Sequence, residues 1–441
     1  MKLFYAIIIS IFMQSCSFDN KTGIWKNENS ILKNNKDLFK EFKTLSSSNE
    51  FFNKIIPLKK NFKFILNKPL DNMEWQDIFY NQTNNFDNFT YNDLNQLIFK
   101  SKKLTNHKVN NFILLEENNL IINDHKGNII IFSINENKLI SKFNFYKKKY
   151  KKINKTLNLI VENNVIYVSD NIGYIYAFNY KKKKVIWAKN FKIPFRSNLK
   201  IAGNSLFASN QNNSLFFINK NTGDELSEIP TEETFVKNKF INNLSLNKNS
   251  IFFLNTYGSL YSFDIKTSRM NWFINLNQSL NLNPSNLFFG NQIISNKDKI
   301  VVSSNQFTYI IDTNTGAILH KINISSIVKP IILNEYLFLT TKNGLLIALS
   351  LNNGKILYSY DVNKKISEYL DIKKKKTEFK SISIVNSNIF IFLKNSYLLK
   401  FNINGKLDDV RKLPSKINTH NIFIDGSILY LDNKNRLLIV D

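Results

Sequence analysis

From about residue 105 to the C-terminus the chain repeats one pattern: an apolar strand, a polar turn, a second strand, a second turn and a third strand. The clearest copies begin at Asn119 ("NLIINDHKGNIIIFSINENKLISKFNF"), Asn164 ("NVIYVSDNIGYIYAFNYKKKKVIWAKNF"), Asn249 ("NSIFFLNTYGSLYSFDIKTSRMNWFINL") and Glu335 ("EYLFLTTKNGLLIALSLNNGKILYSYDV"). Weaker copies begin near Asn204, Asp298, Asn388 and Ser427. The residue just before the second strand falls at Gly127, Gly173, Asn213, Gly258, Gln306, Gly344, Ser396 and Arg436, with spacings of 38 to 52 residues. That is the period of four-stranded propeller blades. Eight landmarks predict an all-β, eight-bladed β-propeller of four-stranded antiparallel blades.

The local chemistry agrees with hairpins. Glycine at the first turn permits the positive φ that tight hairpins need. Asn213 tolerates that region, whereas Gln306 and Arg436 do not, which predicts wider turns there. Strands either alternate, as in Tyr174-Ile175-Tyr176-Ala177-Phe178, or run fully apolar, as in Ile129-Ile130-Ile131-Phe132. The second kind suits a strand covered on both faces by neighbouring blades. The outer strands carry Trp187, Trp272, Tyr358 or His320, which should pack between blades. The last copy stops at Asp441 after its third strand, so its fourth must come from elsewhere. "LIFKSKKL", residues 97–104, has the outer-strand pattern with Phe99 in the aromatic place. The ring is therefore expected to be closed by an N-terminal strand, which removes a free sheet edge.

The N-terminal part reads differently. Lys2 and the apolar run to Met13 are too short to span a bilayer and have the shape of a secretory signal. The run ends in Met13-Gln14-Ser15-Cys16, similar to a bacterial lipobox, which implies a signal over residues 1–15 and lipid on Cys16. Ser17, not aspartate, follows, which by that resemblance implies the outer membrane. Residues 16–55 read as a tether, with a helical piece near 36–43, residues 56–95 as an extension packing on the propeller with Trp75 as anchor, and residues 96–441 as the propeller. Cys16 is the only cysteine, so no disulfide staples the fold.

A formal charge of +26 raises the possibility of an anionic partner. Yet 56 of the 60 basic residues are lysines, and arginine is the residue best suited to phosphate recognition. The Lys, Asn, Ile, Phe and Tyr content is what an AT-rich genome writes. The runs at Lys147–Lys152 and Lys373–Lys376 fall between blades, and that at Lys181–Lys184 falls between the third and fourth strands of one blade. Those loops emerge on opposite faces, so no single groove forms and no nucleic acid is expected. His107, His125, His320 and His420 lie in separate units without metal-ligand spacing. Phosphate loops and nucleophile elbows are missing. Asp264 and Asp312 read as turn caps. No catalytic, metal or cofactor-binding residue is expected.

"DTNTGAILH" at Asp312 and "NKNTGDEL" at Asn219 resemble the repeat of propellers that carry pyrroloquinoline quinone, in which Thr-Gly precedes an outer-strand tryptophan. The enzymes of that group use an adjacent cysteine pair, a calcium site and an aspartate base; with one cysteine, the pair cannot exist. Lipobox, eight copies and N-terminal clasp together resemble the outer-membrane assembly factor BamB family in its alphaproteobacterial form, whose Asn–Trp segment and closing strand correspond here to "NMEW" and "LIFKSKKL". The resemblance implies a non-catalytic lipoprotein scaffold without cofactor, facing the periplasm, monomeric within a hetero-complex and docked on a BamA-like barrel insertase. The contact surface it implies comprises the linkers "SEIPTEETFVKNKFINN" and "NLNQSLNLNPSNLFFGN". Neither carries the family's leucine–arginine or paired-aspartate pattern, so the partner-binding residues stay unassigned. The alternative is a propeller lipoprotein that binds an envelope polysaccharide or small ligand over its channel.

Overall fold

The computed structural model describes residues 16–18, 25–27, 52–233, 241–277, 288, 290–304, 306–373 and 376–441. Met1–Glu50 and Phe51–Asp441 form two separate units. In the first, Cys16–Phe18 pairs antiparallel with Trp25–Asn27; the expected signal segment and the helical piece near residues 36–43 lie outside the described residues.

The second unit is an eight-bladed β-propeller. In blade 1 the strands Leu114–Glu116, Asn119–Asn123, Asn128–Ser133 and Lys138–Asn144 run from the channel outwards. The inner three are buried throughout, and the fourth is mostly exposed. This explains the sequence pattern: an inner strand is sandwiched between neighbouring blades and reads apolar along its length, while an outer strand has one wet face. The other blades repeat the plan, with the core divided into clusters between blades. One helix, Val362–Leu370, follows blade 6, N-capped by Asp361, whose carboxylate accepts from the Lys364 N–H. Among the described residues no helix is long and apolar enough to cross a membrane.

Leu97–Lys100 pairs with Leu437–Val440 as the fourth strand of blade 8, the expected clasp. A finer detail supports its identity. Every third-to-fourth strand pair has one register shift in the same place. In blade 2 it skips Ile186 and sets Trp187 opposite Ala177. In the clasp it skips Ile98 and sets Phe99 opposite Ile439. The bulge turns the outer strand about its axis, and the clasp has been built to the same template.

In five blades the first turn is held by an Asx side chain at its start; Ser304 and Thr341 use their hydroxyls in blades 5 and 6. Asp170 Oδ1 accepts from the N–H groups of Ile172, Gly173 and Tyr174, each at 2.8 Å. Asp124, Asn210, Asn255 and Asp432 do the same for their turns. The wider turns expected at Gln306 and Arg436 are not found. In blade 8 the left-handed residue is Asn435 (φ 57°), one position before Arg436, and asparagine tolerates it. In blade 5 the turn is shorter: Ser304 N–H donates to Phe307 O at 2.8 Å, closing the loop one residue early.

Candidate functional site

The Thr-Gly turns, the feature closest to a quinone signature, are structural. In four blades the ring on the outer strand docks onto the glycine of the next blade's second turn. Trp272 lies against Gly316 and donates its indole N–H to Thr313 O at 2.9 Å. Trp187 does likewise with Gly223 and Lys220 O at 2.8 Å. His320 covers Gly354, its Nε2 3.0 Å from Asn352 O, and Gly405 is covered by Tyr360 with Tyr358 beside it, the Tyr358 hydroxyl donating to Ile403 O. A side chain at any of these glycines would occupy the ring's place. Asp312 and Asp264 cap the same kind of turn: Asp312 Oδ1 accepts from Asn314 and Thr315, Asp264 Oδ1 from Lys266 and Thr267. These bonds hold both carboxyls below the usual carboxylate range.

The channel is where the molecule departs from a plain ring. Residues 72–92 make one full circuit inside it. Asp425 N–H donates to Asn72 O at blade 8. Trp75 exchanges backbone bonds with Leu115 of blade 1, and Val161 of blade 2 donates to Gln76 O. Gln82 bonds Ile201 O of blade 3 and accepts from Leu246 N–H of blade 4. The Asn84 amide donates to Leu244 O and Ile293 O, bridging blades 4 and 5, both at 2.8 Å. Asn85 exchanges two bonds with Ile332 of blade 6, also at 2.8 Å. Asn88–Phe89 adds a parallel strand to blade 7, and Asn92 N–H reaches Gly426 O, back at blade 8. Inner strands at a channel wall have one unpaired edge; the circuit satisfies it. Trp75 is almost fully buried, packed among Tyr80, Phe86 and Phe89.

Charge enters the channel with it. Lys200 of blade 3 is fully buried and pairs with Asp77 Oδ2 at 2.6 Å, with Asn81 O as a second acceptor. Beside the circuit lies a cavity of about 220 Å³, walled by Trp75, Phe79 and Phe86 of the circuit and by residues leading into the inner strands of blades 5 to 8 and 1. Lys329, Lys380, Ser381, His420 and Asn421 face it. Burial holds the Lys329 amine well below the usual lysine range, with Lys200 adding repulsion. It holds Lys380 down to about 8 and His420 down to about 3, so His420 is neutral, stacked on Phe112 at 4.9 Å.

Sequence reasoning treated the N-terminal extension as peripheral packing and singled out none of these lysines. The channel amides leave a faint trace, the recurring asparagines of "NMEW" and "NQTNNFDNF", but in an asparagine-rich chain it does not stand out. The four histidines are not brought together, and no cluster of three potential metal ligands exists among the described residues. The cavity lining holds no carboxylate; with half-buried lysines in its wall it does not fit a calcium-bound quinone, whose metal needs anionic oxygen ligands. Of the expected contact linkers, Glu232 accepts from Asn255, Ser259 and Tyr261 of blade 4, while residues 234–240, 278–287 and 289 lie outside the described residues.

A family model described as "Outer membrane protein assembly factor BamB" matches residues 117–360. No curated protein sequence matches the chain. Among solved structures, BamB from Moraxella catarrhalis superposes with a TM-score of 0.61 at 11% identity, covering 78% of this chain and 99% of that one. The computationally designed Ika8 protein gives 0.60 at 12%, with the same coverages. Quinohemoprotein alcohol dehydrogenase from Comamonas testosteroni gives 0.59 at 9%, covering 83% and 80%. Such identities establish the fold alone, which scaffold and dehydrogenase share.

Proposed function

The chain belongs to the family of the outer membrane protein assembly factor BamB, and from that premise we propose that it is a non-catalytic scaffold of β-barrel assembly in the outer membrane, of the alphaproteobacterial type. The match over residues 117–360 carries the reading. In it, residues 1–15 are a signal, Cys16 bears lipid, residues 16–55 tether the propeller, and the partner is a BamA-like insertase.

The channel chemistry supports a binding rather than a redox role. A cavity walled by half-buried lysines and phenylalanines, with no carboxylate in its lining, offers neither calcium ligands nor a base of the kind a quinone dehydrogenase uses. Co-purification from detergent-solubilised membranes tests the proposal. Recovery of a barrel insertase is expected; recovery of a sugar polymer or a quinone without it would overturn it. Cys16→Ser tests the anchor separately: the variant should leave the membrane fraction, and one that sediments with membranes as before rules out lipidation at Cys16.

A further inference from the structure

The channel cavity sets apolar walls against polar groups. Its apolar walls come from Phe79, Phe86, Phe112 and neighbouring isoleucines. Against them stand two lysines. Lys329 Nζ donates to Asn84 O at 2.5 Å and Phe79 O at 3.4 Å, and sits 3.3 Å from the centre of the Phe86 ring. Lys380 Nζ donates to Asn418 O at 2.8 Å. A protonated lysine has three N–H groups, so each keeps donating capacity when it carries its proton. Among the described residues neither has a carboxylate partner, in contrast to Lys200 with Asp77.

A second observation is independent of the lysines. Asn421 is 5% exposed, and its Oδ1 accepts from Ser381 at 2.9 Å, but its Nδ2 has no hydrogen-bond partner. Both residues line the cavity. A buried amide without an acceptor costs about 1–3 kcal/mol, and buried polar groups are nearly always satisfied. Lysines without counter-ions and an amide without an acceptor call for the same thing, an anionic oxygen. His420, held neutral by burial, adds no charge of its own and closes one side by its stack on Phe112.

We propose that this cavity binds a small organic carboxylate with an apolar body, its oxygens on Lys380, Lys329 and Asn421 and its body against the phenylalanines. At about 220 Å³ the space lies below the roughly 300–1,000 Å³ of drug-sized pockets, so the acid is of fragment size. The site is independent of the assembly role proposed above, and no catalysis is implied.

The test titrates the intact protein by calorimetry with 3-phenylpropionate, its neutral amide and inorganic phosphate. The acid should bind saturably at one site, the amide and the phosphate each about tenfold or more weakly, since a charge-assisted hydrogen bond contributes about 1.5–3 kcal/mol. Lys380→Met should abolish the preference for acid over amide, with circular dichroism checking the fold. A pH series on the unaltered protein needs no variant. The groups facing the site are Lys329, Lys380 and His420, with Lys200, Asp77 and Lys394 acting on the lysines from neighbouring elements. Affinity for the acid should rise as pH falls through about 8, where Lys380 gains its proton, while that for the amide stays flat. No saturable binding of the acid, equal binding of acid and amide, or a pH-independent preference would each overturn the proposal.

Discussion

Gly316 shows how closely single residues are set in this ring. Its φ is +72°, and a Cβ there would stand 2.6 Å from Trp272 Cε3. Gly203 shares the left-handed backbone, at +56°, but a Cβ there meets nothing within 4 Å. The pair separates two penalties. Gly203→Ala should cost only the backbone term, about 1–2 kcal/mol, while Gly316→Ala should add overpacking, for a total of about 2–5 kcal/mol. Urea unfolding followed by tryptophan fluorescence reads both; equal costs would mean that the Trp272 dock is not tight. His420 gives a pH prediction. Its folded-state pKa of about 3 lies below the ordinary 6.5, so on acidification the unfolded chain takes the proton first. Stability present above 6.5 is therefore lost as pH falls towards 3, by about 1.4 kcal/mol per pH unit once below the unfolded value. His420→Leu should remove that slope between about pH 6 and 5, read as the difference in urea midpoints from the unaltered protein. A variant with the same slope would place the acid sensitivity elsewhere.

Among the elements, the clasp carries the clearest mechanical role. Deleting residues 97–104 removes the partner of Leu437–Val440 and the Phe99 contact with Phe132 of blade 1. It also leaves blade 8 with a bare apolar edge, so the whole ring should melt at a lower midpoint and aggregate more readily; cooperative unfolding at an unchanged midpoint would refute the clasp's role. This strand was legible because its spacing repeats that of seven sister strands, down to Phe99. The turns were partly legible: glycine marked them, but the Asx residue three positions earlier, as at Asp124, Asp170 and Asn255, holds them, and reading it would have placed the blade 8 landmark on Asn435. The circuit of residues 72–92 was not legible. It has no period of its own, and its specificity lies in amides such as Asn84 and Asn85 whose acceptors are more than a hundred residues away. Lys329 and Lys380 were equally hidden, because sequence does not distinguish a lysine that lines a cavity from 54 others.

At the scale of the molecule, the fold is a ring whose blades are joined twice: sideways through aromatic docks and inter-blade clusters, and centrally through the circuit. The Lys200–Asp77 pair is one of the central joints and is nearly dry, at 0% and 7% side-chain exposure. Asp77→Asn should leave a buried cation unpaired and cost about 3–5 kcal/mol, whereas Asp77→Leu with Lys200→Met should recover much of the loss. Denaturation of both proteins checks this; a double variant no better than the single would mean that the pair contributes through more than its charge. The apolar repeat was readable because ring packing needs it everywhere, while the candidate ligand site was not, because it arises only where the circuit meets five blades.

The circuit has a consequence for how this chain can evolve. Repeat proteins ordinarily gain or lose a unit at little cost, because each unit touches only its neighbours. Here the segment from Asn72 to Asn92 docks on each blade in turn and returns to blade 8 after a single revolution. A duplicated blade would find no amide waiting for its inner strand, and a lost one would strand an asparagine such as Asn85 without its acceptor. The segment is thus a gauge that fixes the number at eight, and it is translated before any of the blades it measures.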